Sequence, residues 1–117
     1  MSTSYGIAAV DGNNRIDEIV EKPKPEDAPS SLGVVGRYLL TPEIFTMLET
    51  TGRGSGGEIQ LTDGIASLMQ PEAVYALPFE GTRYDCGDKL GYLNANIDFA
   101  LERDDLAEGL RAHLKSL

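Results

Sequence analysis

Apolar runs of strand length and stripes of helical period take turns along this chain, and that alternation narrows its possible folds more than any single motif does. Tyr5 to Val10 is a short apolar run, followed by Asp11-Gly12-Asn13-Asn14, residues that tolerate positive φ. A hairpin returning through Arg15 to Glu21 is expected. Ile16, Glu18 and Val20 do not alternate cleanly with their neighbours, although Ile19 and Val20 add β-branched bulk to the second strand. Pro23, Pro25 and Pro29 break regular structure, so Lys24 to Ser31 reads as a surface loop.

Leu32 to Leu40 is nearly continuous apolar sequence interrupted by Gly36-Arg37, the pattern of a strand buried on both faces. Thr41-Pro42-Glu43 predicts a helix start with Thr41 as N-cap, and Ile44, Met47 and Leu48 form its buried stripe. Gly52 to Gly57 is too rich in glycine for helix or strand and reads as a flexible loop; it lacks the Gly-Lys-Ser/Thr ending of a Walker loop. Glu58 to Asp63 places acids at the start of a helix whose apolar positions are Leu61, Ile65, Leu68 and Met69, with Pro71 as its stop. Val74 to Phe79 then predicts a strand. Two helices close the chain, one striped by Leu90, Leu93, Ile97, Ala100 and Leu101, the other by Leu106, Leu110, Leu114 and Leu117, with a break near Asp104-Asp105. Helices placed between strands favour an α/β sheet with covered faces over a sandwich or a bundle.

With 117 residues there is room for one core, so a single domain or a fragment of a larger one is expected over 1–117. A net charge of −9 argues against nucleic-acid binding, which needs clustered Lys and Arg. No apolar run approaches the roughly 20 residues of a membrane span, and Met1-Ser2-Thr3-Ser4 shows no secretory n-region. One cysteine, Cys86, agrees with a reducing compartment and a cytoplasmic location. Cys86 reads as a small buried thiol, and one Cys with one His, His113 in the terminal helix, makes neither a zinc cluster nor a nucleophile-base pair.

Two stretches carry most of the chemical interest. Asp85 follows the expected strand at Val74 to Phe79 and precedes Cys86-Gly87 and a helix, a position where α/β sheets gather ligands. As a carboxylate it suits either the cap of that helix or a Mg²⁺ ion shared with substrate phosphates, and Asp88 competes for both roles. Glu21 and Lys22 stand at another strand end, with Pro23 biasing Lys22 toward an extended conformation. Extended neighbours point to opposite faces, so one would reach a sugar hydroxyl and the other a phosphate only if the strand end curves around a ligand; ordinary solvent exposure is the simpler reading of both.

The ordered segments Tyr5-Gly6-Ile7, Val20-Glu21-Lys22-Pro23, Val35-Gly36-Arg37-Tyr38, Glu58-Ile59-Gln60-Leu61-Thr62-Asp63 and Asp85-Cys86-Gly87-Asp88-Lys89-Leu90-Gly91-Tyr92 together resemble the C-terminal part of the bacterial UTP-glucose-1-phosphate uridylyltransferases, within the nucleotidyltransferases. The resemblance implies the C-terminal portion of a Rossmann-like α/β fold, with a mixed sheet, flanking helices and two C-terminal helices. It implies a Mg²⁺-dependent reaction of UTP with glucose 1-phosphate, giving UDP-glucose and pyrophosphate. Lys22 would contact the sugar phosphate, Glu21 the glucose hydroxyls, and Asp85 the metal. Gly6 and Gly36 would bring bare backbone to the sugar. The glycine-rich nucleotide loop, the uracil contacts and a second metal-binding aspartate of that family are missing here. An inactive fragment lacking its N-terminal half, from a homo-oligomeric parent, is therefore expected. A non-catalytic binding or assembly module, and an enzyme for another sugar phosphate, remain alternatives.

Overall fold

The computed structural model describes residues 4–117, which divide into two compact units, one running to Phe79 and the other spanning Glu80–Leu117. Three strands come first and four α-helices follow, so the architecture is α/β without the alternation of strand and helix that the sequence pattern suggested. The segment Met1-Ser2-Thr3, read above for a secretory signal, lies outside the described residues.

In the first unit the expected hairpin forms from β1 (Ile7–Val10) and β2 (Ile16–Val20). Its turn is built by Asp11, whose Oδ1 accepts from the backbone N–H of Asn13 at 2.7 Å and of Arg15 at 3.0 Å. Asn14 takes a φ of 63°, a conformation asparagine tolerates better than most residues. Ala9 pairs with Glu18 and Val10 with Ile16, leaving Asp17 as the extra residue of a β-bulge. The bulge explains the broken alternation: Ile16 and Ile19, three positions apart, are both buried, while Asp17 and Glu18 both face solvent.

β1 is central in a three-stranded sheet of order β2-β1-β3, and both pairings are antiparallel. β3 is only Leu32–Gly33. The long buried strand expected over Leu32 to Leu40 does not form. Val34 still donates to Gly6 O at 2.9 Å, but Gly36 turns to a φ of 90°, out of the strand region, and Val35, Tyr38 and Leu39 are exposed. Val74 to Phe79 is likewise not a strand. It touches the hairpin through one bridge, Tyr75 with Arg15, with Ile16 N–H on Val74 O and Ala76 N–H on Asn14 O, both at 2.8 Å. It nevertheless alternates as a strand does: Val74 and Ala76 pack against the core, while Tyr75, Leu77 and Phe79 point outward, Leu77 at 91% exposure.

Helix α1 (Glu43–Thr50) starts after Pro42 without a side-chain cap. The expected capping by Thr41 is replaced by two other contacts. Its carbonyl accepts from Ile44 N–H, and its hydroxyl donates to the Glu72 carboxylate at 2.9 and 3.1 Å, a charge-assisted bond that outcompetes a neutral cap. The Gly52 to Gly57 stretch, expected to be a featureless loop, holds a turn of 3₁₀ helix at Ser55–Gly57. Arg53 closes it by donating to Gly57 O at 2.8 Å, beside a bridge between Arg53 and Ile59. Helix α2 (Leu61–Leu68) packs on α1 and on β2. Ala8, Ile16, Ile19, Ile44, Ile65 and Leu68 form the core, and full burial of side chains such as Ile65 and Leu68 contributes about 1.5–3 kcal/mol each.

The second unit is a helical pair, α3 (Lys89–Leu101) and α4 (Asp104–Ser116), which pack on each other with Ala95 and Ala107 buried. Small residues at those positions bring the helices close; of the larger apolar residues expected in the two stripes, Ile97, Leu101 and Leu110 are partly buried and the others are not. Leu90 and Leu93 are 63% and 56% exposed, and Leu106, Leu114 and Leu117 are exposed too. Tyr84 closes against α3, its hydroxyl on Asp98 Oδ2 at 2.6 Å and its ring 5.8 Å from that of Phe99.

Candidate functional site

The feature with the clearest local construction lies where β1 begins and β2 ends, beside the first turn of α2. Ile7 pairs with Val20, and Lys22 N–H donates to Tyr5 O at 3.1 Å, so the ladder carries on past the strands and brings Gly6 next to Glu21. Glu21 Oε2 accepts a hydrogen bond from Thr62 Oγ1 at 2.5 Å. Thr62, the second residue of α2, is 5% exposed. A β-carbon on Gly6 would lie 3.1 Å from Glu21 Oε2, 3.5 Å from Thr62 Oγ1 and 3.6 Å from Val34 Cγ2, so the bare backbone there makes room for the carboxylate. Tyr38 belongs to the same neighbourhood. Although much of the residue is exposed, partial desolvation of its phenol first, and then the negative charge of Glu21, raises it above the usual pKa of 10.0.

Lys22 departs from the extended conformation that Pro23 was expected to impose. Its φ is 45°, in the left-handed region, its side chain is exposed, and Pro23 behind it is buried. Its N–H bond to Tyr5 and the burial of Pro23 hold the chain on both sides of it, which overrides the local preference of a residue preceding proline. Left-handed backbone on a side chain other than glycine, asparagine or aspartate costs about 1 kcal/mol or more. The backbone at Gly36 is also left-handed, and nothing lies within 4 Å of where its β-carbon would stand. Glycine at 36 is thus explained by its φ, and glycine at 6 by crowding.

Asp85 lies in the second unit. It is exposed, and its Oδ1 accepts from Gly87 N–H at 3.0 Å while its carbonyl accepts from Asp88 N–H. The helix cap falls to Asp88, whose Oδ2 accepts from Gly91 N–H at 2.8 Å. The competition between Asp85 and Asp88 over capping is therefore decided for Asp88. Asp85, a hard oxygen donor on a tight turn, fits a Mg²⁺ that takes one carboxylate and completes its shell with phosphates and water. Among the described residues no three His, Cys, Asp or Glu side chains converge as a protein-only metal cage would require.

Cys86 is exposed, against the expectation of a buried thiol, because the turn around it has no core to face. It lines a shallow groove of about 370 Å³ with Tyr92, Ala95, Asn96, Phe99 and Arg103. His113 lies in the last turn of α4, exposed. Among the described residues no helix is long and apolar enough to cross a membrane.

Thr62 is the site residue that sequence reasoning passed over. In Glu58-Ile59-Gln60-Leu61-Thr62-Asp63 it stood as one letter of a helix start, and its link to Glu21 spans 41 positions. The only local hint is a polar residue amid the apolar positions of α2.

Comparison with known proteins supplies the wider frame. The family model for nucleotidyl transferases matches residues 1–102. A UTP-glucose-1-phosphate uridylyltransferase of Streptococcus pyogenes is 48% identical over 120 aligned residues, taking in 98% of this chain and 40% of that protein. A crystal structure of UDP-glucose pyrophosphorylase complexed with UDP-glucose superimposes with a TM-score of 0.81 at 40% identity, over 87% of this chain and 40% of the other. A UTP-bound UGPase from Acinetobacter baumannii gives 0.79 at 40% identity, over 98% of this chain and 41% of the other. The chain thus spans about two fifths of the length of these relatives.

Proposed function

This chain belongs to the nucleotidyl transferase family, and from that premise we propose that it forms the sugar-phosphate and metal-binding part of an enzyme making UDP-glucose and pyrophosphate from UTP and glucose 1-phosphate. The observation that carries the reading is the Glu21 carboxylate, held by buried Thr62 against the bare backbone of Gly6 and followed directly by an exposed lysine. A fixed acceptor beside a cation is what a phosphorylated sugar requires: a sugar hydroxyl donates a hydrogen bond to the acceptor and the ammonium meets the phosphate.

In the proposed reaction a phosphate oxygen of glucose 1-phosphate attacks the α-phosphorus of UTP in line. A new phosphorus–oxygen bond forms as the bond to the leaving pyrophosphate breaks. Such a transfer rests on positioning and on neutralising charge. Lys22 binds the sugar 1-phosphate, Glu21 receives glucose hydroxyls, and the backbone at Gly6 and Gly36 admits the sugar. Asp85 is the residue that would hold Mg²⁺, which offsets phosphate charge when bound. A cytoplasmic setting and self-association of the complete enzyme belong to the same proposal.

The test is kinetic. The 117 residues alone are expected to make no UDP-glucose from UTP, glucose 1-phosphate and Mg²⁺. In a complete enzyme carrying this segment, Lys22→Ala raises the KM for glucose 1-phosphate, and Asp85→Ala lowers Mg²⁺-dependent turnover. Unchanged kinetics in both variants would reject the assignment.

A further inference from the structure

We infer that Thr62 is a positioning residue that sets which oxygen of Glu21 is offered to the sugar; this rests on the reading of Glu21 as the acceptor of glucose hydroxyls. Three observations meet here. Thr62 Oγ1 donates to Oε2 of Glu21 at 2.5 Å, across 41 positions of sequence. Thr62 is buried while Glu21 is half-buried, so the donor is fixed from the core side and the carboxylate reaches outward from it. Gly6 bounds the same oxygen from the β1 side, where a β-carbon would stand 3.1 Å away.

A glutamate side chain has three rotatable bonds and loses rotamer entropy when it is ordered. A carboxylate at a strand end that is already held by one oxygen has lost most of that freedom before any ligand arrives, so less is lost on binding. Oε2 already accepts from Thr62 and is bounded by Gly6, which makes Oε1 the less encumbered oxygen for a sugar hydroxyl. Burial of the threonine matters to the energetics. Without Glu21 its hydroxyl would be a buried donor needing another partner, and leaving such a donor unmet is unfavourable. The pair therefore keeps its geometry through the ligand-free state.

The role differs from core packing in its chemistry, because the methyl of Thr62 can be kept while the proton is removed. Thr62→Val preserves shape and removes the donor; Thr62→Ser preserves the donor and removes the methyl. Side-chain scalar couplings of Glu21 in the ligand-free 117-residue chain report whether its rotamer is fixed. They are expected to show one rotamer in the native chain and in Thr62→Ser, and averaging in Thr62→Val. Titration with glucose 1-phosphate and, separately, with inorganic phosphate adds the sugar readout. Thr62→Val should bind glucose 1-phosphate roughly tenfold more weakly, with inorganic phosphate unaffected and Thr62→Ser close to native.

Averaged couplings in the native chain, a single rotamer in Thr62→Val, or equal loss in the serine and valine variants overturns the proposal. So does a parallel loss of phosphate affinity in Thr62→Val, since that would mark general damage. If the couplings behave as expected and the native chain binds phosphate but gains nothing from the sugar, the positioning of Glu21 by Thr62 is upheld, and the glucose reading of the site is what fails.

Discussion

Gly91 and the carbonyl of Asp85 are so close that a β-carbon on Gly91 would collide with that oxygen, and with backbone on the other side of the collision there is no flexible side chain to yield. The contact ties the first turn of α3 to the Asp85–Asp88 turn before it, and the Asp88 cap on Gly91 N–H reinforces it. Position 91 thereby constrains the backbone that carries the Asp85 side chain.

Gly91→Ala measures that coupling. Alanine in place of a helical glycine gains about 1 kcal/mol from propensity, whereas forcing extra volume into a packed place costs about 1–3 kcal/mol. The clash is with main chain, so the upper part of that range applies and the balance is destabilising. A lower urea midpoint for the variant, together with shifted amide resonances at Asp85 and Gly87, is the expected result; a stabilised variant with unmoved resonances would show that the turn gives way freely.

Lys22 offers the opposite balance. Its φ of 45° is one that glycine adopts without penalty. Lys22→Gly should relieve about 1 kcal/mol of strain, reduced by the entropy that a glycine adds to the unfolded chain. Urea unfolding is expected to show equal or greater stability, while phosphate affinity measured by calorimetry falls. A clear loss of stability would mean that the lysine side chain contributes structurally, and would move its role away from the ligand.

Alkaline pH tests the second unit. The phenol of Tyr84 is raised above its usual 10.0 chiefly by its hydrogen bond to Asp98, with desolvation and the charges of Asp98 and Glu102 acting the same way. The folded state therefore keeps that proton to higher pH than the unfolded chain does. The sign follows: the bond's stabilisation is fully present below pH 10.0 and is lost as pH climbs through the raised value. Tyr84→Phe should lower stability at neutral pH and flatten its fall across the phenol range. The fall does not vanish, because the phenol of Tyr38 is raised as well, by burial first and by Glu21 second. Urea midpoints across that range, read beside tyrosinate absorbance, check both statements.

Where local chemistry decides structure, the sequence was readable. Asp11 to Asn14 announced its turn through side chains that satisfy their own backbone, and Pro71 marked the end of α2. Where a distant partner decides, local reading failed. Thr41 looked like a cap until Glu72, 31 positions away, drew its hydroxyl. Lys22 looked extended until the ladder bond to Tyr5 and the burial of Pro23 fixed its backbone. Asp17 left only a flaw in a pattern, which the bulge explains. Of the candidate site, Glu21, Lys22 and Gly6 were legible through family resemblance, and the nearness of Glu21 to Gly6 became visible only in three dimensions. Asp85 was legible as a carboxylate at a turn, and only the structure shows that Asp88 caps the helix while Asp85 accepts from Gly87 N–H.

The outward row Tyr75, Leu77 and Phe79 has a practical meaning for anyone handling this polypeptide. Three large apolar side chains on alternate positions of one extended segment form the kind of surface on which molecules meet one another. The isolated chain is thus expected to associate as its concentration rises. Light scattering over a dilution series is expected to show clear solutions at low concentration and growing particles at high concentration, at temperatures where the fold itself is intact. Leu77→Lys should move that onset upward while leaving the melting temperature in place, which makes position 77 the natural first change for keeping the chain in solution.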